Sequence, residues 1–178
     1  MDNKCSMNAH VATIKKKFAA RVWILRHLKR AKLDTDKLVR VYCAMIRPCM
    51  EYMSAVMHSQ LTKTQSLALE RMQAIALKTI FGWHRSYREC REQSGLDSLN
   101  ERRHRATLSF AKKCLTSERF RKWFPENTES QYNLRRRERY VVDFARHERL
   151  KKAPIHYMRR LLNDQELFEE LDYVDLDN

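Results

Sequence analysis

Between residues 62 and 82, TKTQSLALERMQAIALKTIFG, the apolar positions Leu69, Met72, Ile75, Ala76 and Ile80 recur at spacings of three and four, the period of one helix face. The flanking letters mark where this helix starts and stops. Thr62 stands three residues before Gln65, the spacing of a reciprocal N-terminal cap, and Gly82 supplies a residue suited to a helix end. Upstream, Val11, Ile14, Phe18, Val22, Leu25 and Leu28 fall on one helical stripe of residues 8–32. Ala20, Trp23 and Ile24 lie on roughly the opposite side, which predicts a central helix buried on two faces. Asp34, Thr35 and Asp36 then offer a turn and cap before Leu38, Val41, Tyr42 and Met45, a helix interrupted where Pro48 removes a backbone donor and continuing after that kink over residues 49–57.

Two further capping boxes follow. Ser86 with Glu89 opens a short helix closed by Gly95, and Ser98 with Glu101 opens a long one over 99–117. Its spacing predicts Ala106, Phe110 and Cys114 inward. Phe120, Trp123 and Phe124 form a last turn before Pro125, and from 125 to 153 the pattern loses its period and becomes polar and basic. Pro154 suits a first helical position, with Tyr157 or Met158, Leu161 and Leu162 as the apolar side of a short helix. The pattern thus predicts an all-α chain: a helical bundle over 1–124, a basic extended arm over 125–153, and a short helix with an acidic tail over 154–178.

Composition agrees with this reading. Only two glycines and three prolines occur in 178 residues, and good helix formers dominate. The net charge of +14 is unevenly distributed: residues 164–178 hold seven acidic side chains and no basic one, leaving 36 basic against 15 acidic in the rest. Such a body attracts phosphate polymers or anionic surfaces. No apolar run approaches the ~18 residues that span a bilayer, and the first ten residues lack the order of a signal peptide, so the expectation is a soluble intracellular protein, cytoplasmic or nuclear. The five cysteines form no CxxC pair and complete no zinc pattern, so reduced, structural cysteines and no metal or cofactor are expected.

The candidate chemistry is therefore electrostatic. Lys15, Lys16, Lys17, Arg26, Lys29 and Arg30 occupy the arcs between the apolar stripes of the first helix, and Arg102 and Arg103 open the long one. Arg135, Arg136, Arg137 and Arg139, beside Tyr132 and Tyr140, combine phosphate-seeking charge with rings able to stack on bases.

Taken in order, several short motifs resemble the region downstream of the palm in reverse transcriptases of LINE-type, non-LTR retrotransposons, particularly jockey-like insect elements. They include Trp23-Ile24-Leu25-Arg26, Tyr42, Arg47-Pro48, Glu51-Tyr52, Leu69-Glu70-Arg71, Gln73, Phe81-Gly82 and Tyr87. Later come Gly95-Leu96, Leu99 with Arg102-Arg103, Trp123-Phe124-Pro125, Leu134-Arg135, Pro154-Ile155, Tyr157-Met158 and Leu161-Leu162-Asn163. The family usually has glycine where Met53 stands, tryptophan at Met57 and serine at Ala153.

The resemblance implies a thumb-like bundle that holds template and primer, RNA or an RNA–DNA hybrid, through their phosphates and without reading sequence. Polymerisation in the family needs paired aspartates that hold two magnesium ions, and this sequence contains no Asp-Asp pair. The expectation is a catalytically incomplete part of an RNA-directed DNA polymerase, with no catalytic residue of its own. Two alternatives stand beside it: a non-enzymatic helical interaction module that self-associates through surface such as Trp23 and Ile24, and a transposon relic without selected function.

Overall fold

A computed structural model describes residues 7–127 and 139–164. In chain order its helices are α1 (Asn8–Arg30), α2 (Thr35–Val41), a π-helical stretch (Tyr42–Ile46), α3 (Arg47–Glu51), α4 (Ser54–Met57), a 3₁₀ turn (His58–Gln60) and α5 (Lys63–Phe81). There follow α6 (Tyr87–Ser94), α7 (Leu99–Thr116), α8 (Glu118–Arg121), α9 (Glu148–Lys151) and α10 (Pro154–Asn163). The described residues are all-α and contain no sheet; the lone strand-like pairing is an antiparallel bridge between Glu126 and Tyr140.

All three capping boxes form. The Gln65 amide donates to Thr62 Oγ1 at 3.2 Å while Thr62 donates back to the glutamine carbonyl at 2.9 Å. Ser86 with Glu89 and Ser98 with Glu101 repeat the exchange. Gly95 ends α6 in the left-handed conformation, φ +64°.

Contacts divide the chain into two compact units, differently from the expected boundaries at 124 and 153. The described part of the first comprises residues 7–53 and 61–102; that of the second comprises 54–60, 103–127 and 139–164. In the first unit α5 is the centre. It packs against α1, α2 and α6, and it is buried not on one face alone but nearly all round, including the polar side chains of Ser66, Glu70, Gln73 and Thr79. Glu70 and Gln73 lie one turn apart, so both point to the same side. Glu70 accepts from the Tyr87 hydroxyl at 2.7 Å and from the backbone amides of Leu99 at 3.3 Å and Asn100 at 2.5 Å, the first two residues of α7. Gln73 accepts from the Tyr42 hydroxyl at 2.7 Å and donates to the Asp97 carbonyl at 3.0 Å. Burial, together with the neighbouring Glu70 charge for Tyr87, pushes both phenols well above their ordinary range, so they remain donors.

Pro48 interrupts the regular α-helix without ending it, and the residues after it go on helically as α3 and α4, as the sequence leads one to expect. The chain stays helical from Thr35 to Glu51 because the backbone widens to the π form just before the proline, relieving the clash that an α-helical proline makes with the carbonyl four residues back. Arg21 reaches the same stretch and donates to the Met45 carbonyl at 2.6 Å. A correction concerns α1. Val11, Ile14, Phe18, Val22 and Leu25 are buried, whereas Ala20, Trp23 and Ile24 are exposed, because α2, α3 and α5 all approach α1 from one side.

In the second unit Ala111, Cys114, Phe124, Tyr140 and Met158 form an apolar core, flanked by Phe120, Trp123 and Leu162. Here α7 turns Arg103, Thr107, Ala111 and Cys114 inward, so the expected inward Ala106 and Phe110 are exposed. The stretch expected to be an extended arm is in part fixed by side chains of α10. Asn163 brackets Tyr140 like a neighbouring strand, accepting from its amide at 2.9 Å and donating to its carbonyl at 2.8 Å. His156 pairs with the Asp143 carbonyl at 2.8 Å, and Arg159 donates to the Asp143 carboxylate at 2.7 Å and to the Trp123 carbonyl at 2.8 Å. The same unit holds a part-buried polar trio: the Tyr157 hydroxyl lies 3.3 Å from His58 Nε2 and 3.5 Å from His104 Nδ1. Among the described residues Cys43, Cys49, Cys90 and Cys114 form no disulfide, and no His, Cys, Asp and Glu cluster could hold a metal.

Replacing Glu70 by Gln keeps its shape but turns an amide toward the donors of Leu99 and Asn100, which should lower the unfolding free energy by about 2–3 kcal/mol; Glu70→Ala should cost about as much or more. Urea unfolding at neutral pH measures both. A second expectation concerns acid. Burial, and then the charges of Arg103 and His104, lowers the His58 pKa from 6.5 to about 3, so between those values the unfolded chain binds more protons than the folded one. Stability is therefore lost as pH falls through this window, at up to about 1.4 kcal/mol per pH unit for this group. The urea midpoint of His58→Gln should fall less steeply than wild type from pH 6.5 toward pH 4.

Candidate nucleic-acid interface

The first unit carries a continuous basic surface on α1. No Asp or Glu occurs between Asn8 and Arg30, and Lys15, Lys16, Lys17, Arg26 and Arg30 are all exposed. From Lys15 to Arg30 this face runs for about 22 Å along the helix at 1.5 Å per residue. Lys16, Trp23 and Arg30 follow one another at intervals of seven, which places them on one stripe of a 3.6-residue helix. Trp23, 60% exposed, thus sits between two cations and stacks on His27 with ring centroids 3.9 Å apart. Such a surface can neutralise several phosphates and offers an indole to a base, but it presents no fixed hydrogen-bond fork for reading sequence.

The remaining expected site residues lie elsewhere. Lys29 is partly buried and donates to the Ile80 carbonyl at 2.5 Å, where the exposed carbonyls at the end of α5 attract a cation. Arg102 is bound through Nε and Nη2 to the Glu51 carboxylate, which also lies 3.8 Å from Arg47 Nε. Arg103 is fully buried and cannot reach a phosphate. Tyr140 is buried as well, its ring packed edge-on against Phe124 with centroids 6.4 Å apart, so it cannot stack on a base. The assignments of Arg103 and Tyr140 are corrected, since both side chains lie in the core, while Lys29 and Arg102 are engaged by acceptors within the protein. Arg139 is exposed, pairs with Glu126 at 3.4 Å and lies over the Tyr140 ring. Arg135, Arg136 and Arg137, with Tyr132 and the acidic tail, lie outside the described residues.

Sequence reasoning passed over a second basic face. On the α7 portion in the second unit, Arg105, Lys112 and Lys113 are exposed around a shallow depression that also includes Ser109 and Thr116. The spacing of seven between Arg105 and Lys112 was the available signal, obscured because Arg102 and Arg103 beside them look equally basic. No helix among the described residues is long and apolar enough to cross a membrane. In comparisons with known proteins, no family model matches the chain, and no curated protein and no solved structure matches it.

The different positions of these cations predict different defects. Arg103→Ala removes a buried, charged side chain and should destabilise the protein by about 3 kcal/mol or more. Lys16→Glu changes an exposed side chain and should leave stability within about 0.5 kcal/mol of wild type. Thermal unfolding of the two variants, run side by side, checks the contrast.

Proposed function

We propose that this chain is a non-catalytic nucleic-acid grip, related to the post-palm thumb region of LINE-type retrotransposon reverse transcriptases, which holds RNA or an RNA–DNA hybrid through its phosphates. The observation that carries the proposal is the exposed face of α1, with five cations and no carboxylate along the helix. Two further observations support the relationship. Residues on which the resemblance rests are one another's polar partners in the first unit: Tyr42 with Gln73, Glu70 with Tyr87, and Glu51 with Arg102. Buried polar groups of this kind are costly to lose singly, so a lineage would retain them together. Met53 adopts φ +60°, a left-handed backbone that disfavours a side chain, at the position where the family carries glycine.

Binding of this type is sequence-tolerant and strongly salt-dependent. It favours A-form duplexes, whose shape and 2′-hydroxyls are accessible across a wide minor groove. The absence of an Asp-Asp pair from the sequence makes the chain, on this reading, a holder of template and primer and not a polymerase.

Trp23 and Ile24 favour a second reading. Both are exposed on α1, and a helix that presents an indole and an isoleucine to water can pair with a second copy of itself. In that case the chain is a helical interaction module.

Fluorescence anisotropy with labelled single-stranded RNA, duplex RNA and RNA–DNA hybrid, each titrated over a range of salt, separates the readings. The grip predicts a steep fall of log affinity with log salt, tighter binding to the A-form duplexes, and a slope shallower by about 2–3 when Lys15, Lys16 and Lys17 are changed to Glu. Unchanged affinity and slope in that triple variant would sink it. A concentration-dependent mass that Trp23→Ala abolishes, with weak RNA binding even at low salt, is what the interaction module predicts.

A further inference from the structure

Away from the Lys16–Trp23–Arg30 stripe, α1 and α3 enclose a groove of about 370 Å³ in the first unit. One wall is a single stripe of α1, with His10, Lys17 and Arg21 at intervals of seven and four; the other is Pro48, Cys49 and Tyr52. No carboxylate lines it.

Its polar groups are unevenly committed. Thr13, also in the wall, donates its hydroxyl to the Ala9 carbonyl at 2.9 Å, and the Cys49 thiol donates to the Ile46 carbonyl at 2.9 Å, so neither is a free donor. Arg21 spends one N–H on the Met45 carbonyl and another on the Cys49 side chain, which fixes the guanidinium and leaves further donors of its five. Lys17 is exposed one turn away, and two like charges at this spacing repel each other. His10 Nε2 is shielded from solvent with no hydrogen-bond partner among the described residues. The Tyr52 ring lies at 6.3 Å from the His10 ring and is 64% exposed. A site with two cations and no carboxylate in its lining suits an anion with several acceptor oxygens, and an exposed phenol ring beside it suits a flat, weakly polar group.

We propose that this groove is a nucleotide-binding site, in which Lys17 and Arg21 hold a phosphate and the Tyr52 ring stacks on the attached base. The phosphate offsets the repulsion between Lys17 and Arg21, with His10 beside it in the wall. Its volume lies at the small end of the range for small-molecule sites. The inference deepens the nucleic-acid reading and shares Lys17 with it, but the groove is separate from the stripe that carries Lys16 and Arg30. The nucleotide could belong to a polymer or be free.

The test follows His10 and Tyr52 resonances of the full chain by NMR, with adenosine 5′-monophosphate, inorganic phosphate and adenosine as separate probes. The monophosphate should shift both residues saturably, inorganic phosphate should shift His10 more weakly, and adenosine should shift neither. Lys17→Gln should weaken the monophosphate by about tenfold, the value of a charge-assisted hydrogen bond. Tyr52→Leu should reduce it to the affinity of inorganic phosphate. Methyl resonances of Leu25 and Met72 report that the variants remain folded. Equal shifts with adenosine, no saturable shift up to about 10 mM monophosphate, or no effect of Lys17→Gln would overturn the proposal. A single-stranded RNA pentamer that competes with the monophosphate identifies a polymer as the source, and one that does not identifies a free nucleotide. Salt-sensitive duplex binding weakened by Lys16→Glu and Arg30→Glu, with no monophosphate shift, would overturn the groove and leave the grip standing; a monophosphate shift without duplex binding would do the reverse.

Discussion

A carboxylate buried among helices is the constraint on which the first unit depends. Glu70 is fully enclosed, and its oxygens accept from one phenol and from two backbone amides that begin α7. A helix start leaves amide donors unpaired and carries partial positive charge, so a carboxylate there satisfies hydrogen bonds and complements the helix dipole together. This works only if Tyr87, the 97–100 turn and α5 are all in place. Gln73, one turn further along α5, imposes the same requirement on Tyr42 and Asp97. Burying apolar stripes would tolerate a range of helix registers; these two side chains select one.

The same electrostatics sorts the basic residues into two populations. A guanidinium or ammonium withdrawn from water must find acceptors, and Arg102 at Glu51, Lys29 at the end of α5 and Arg159 at Asp143 have them. Cations whose donors are taken up inside the protein are poor candidates for external phosphates, because binding would require the internal contact to be given up. What remains wholly uncommitted on α1 is Lys15, Lys16, Lys17, Arg26 and Arg30, while Arg21 keeps spare N–H groups beside its bond to the Met45 carbonyl. Net charge alone does not make this distinction. It counts Arg103 and Lys16 equally, although one is in the core and the other in solvent.

That distinction explains how much was legible in the letters. Helix starts were readable because a capping box is a local device: Thr62 with Gln65, Ser86 with Glu89 and Ser98 with Glu101 need nothing beyond four residues. The main stripe of α1 was readable for the same reason of period. Which second face would be covered was not, since Ala20, Trp23 and Ile24 are buried or exposed according to where α2, α3 and α5 lie. In α7, Cys114 was readable as inward, but the letters at 103, 107 and 111 were not, because two of them are Arg and Thr; Thr107 satisfies its hydroxyl on the Arg103 carbonyl at 2.8 Å, a bond visible only in three dimensions. The stretch around Tyr140 looked aperiodic because its order comes from Asn163, His156 and Arg159, side chains more than a dozen residues away. The site was legible as a charge density, but not as a set of accessible groups.

A helix with seven cations and no acidic residue between its ends would be unfavourable in isolation, because neighbouring like charges repel and none is matched three or four residues away. α1 is nevertheless helical for 23 residues, and the burial of Val11, Ile14, Phe18, Val22 and Leu25 against its neighbours is the term that opposes this repulsion. The outer charges therefore lower the stability of the fold that displays them. A surface that costs stability in the free protein regains it when an anion is bound, since any ligand that prefers the folded state stabilises it. The feature that makes α1 an expensive helix is thus the one on which the proposed grip on a phosphate polymer rests.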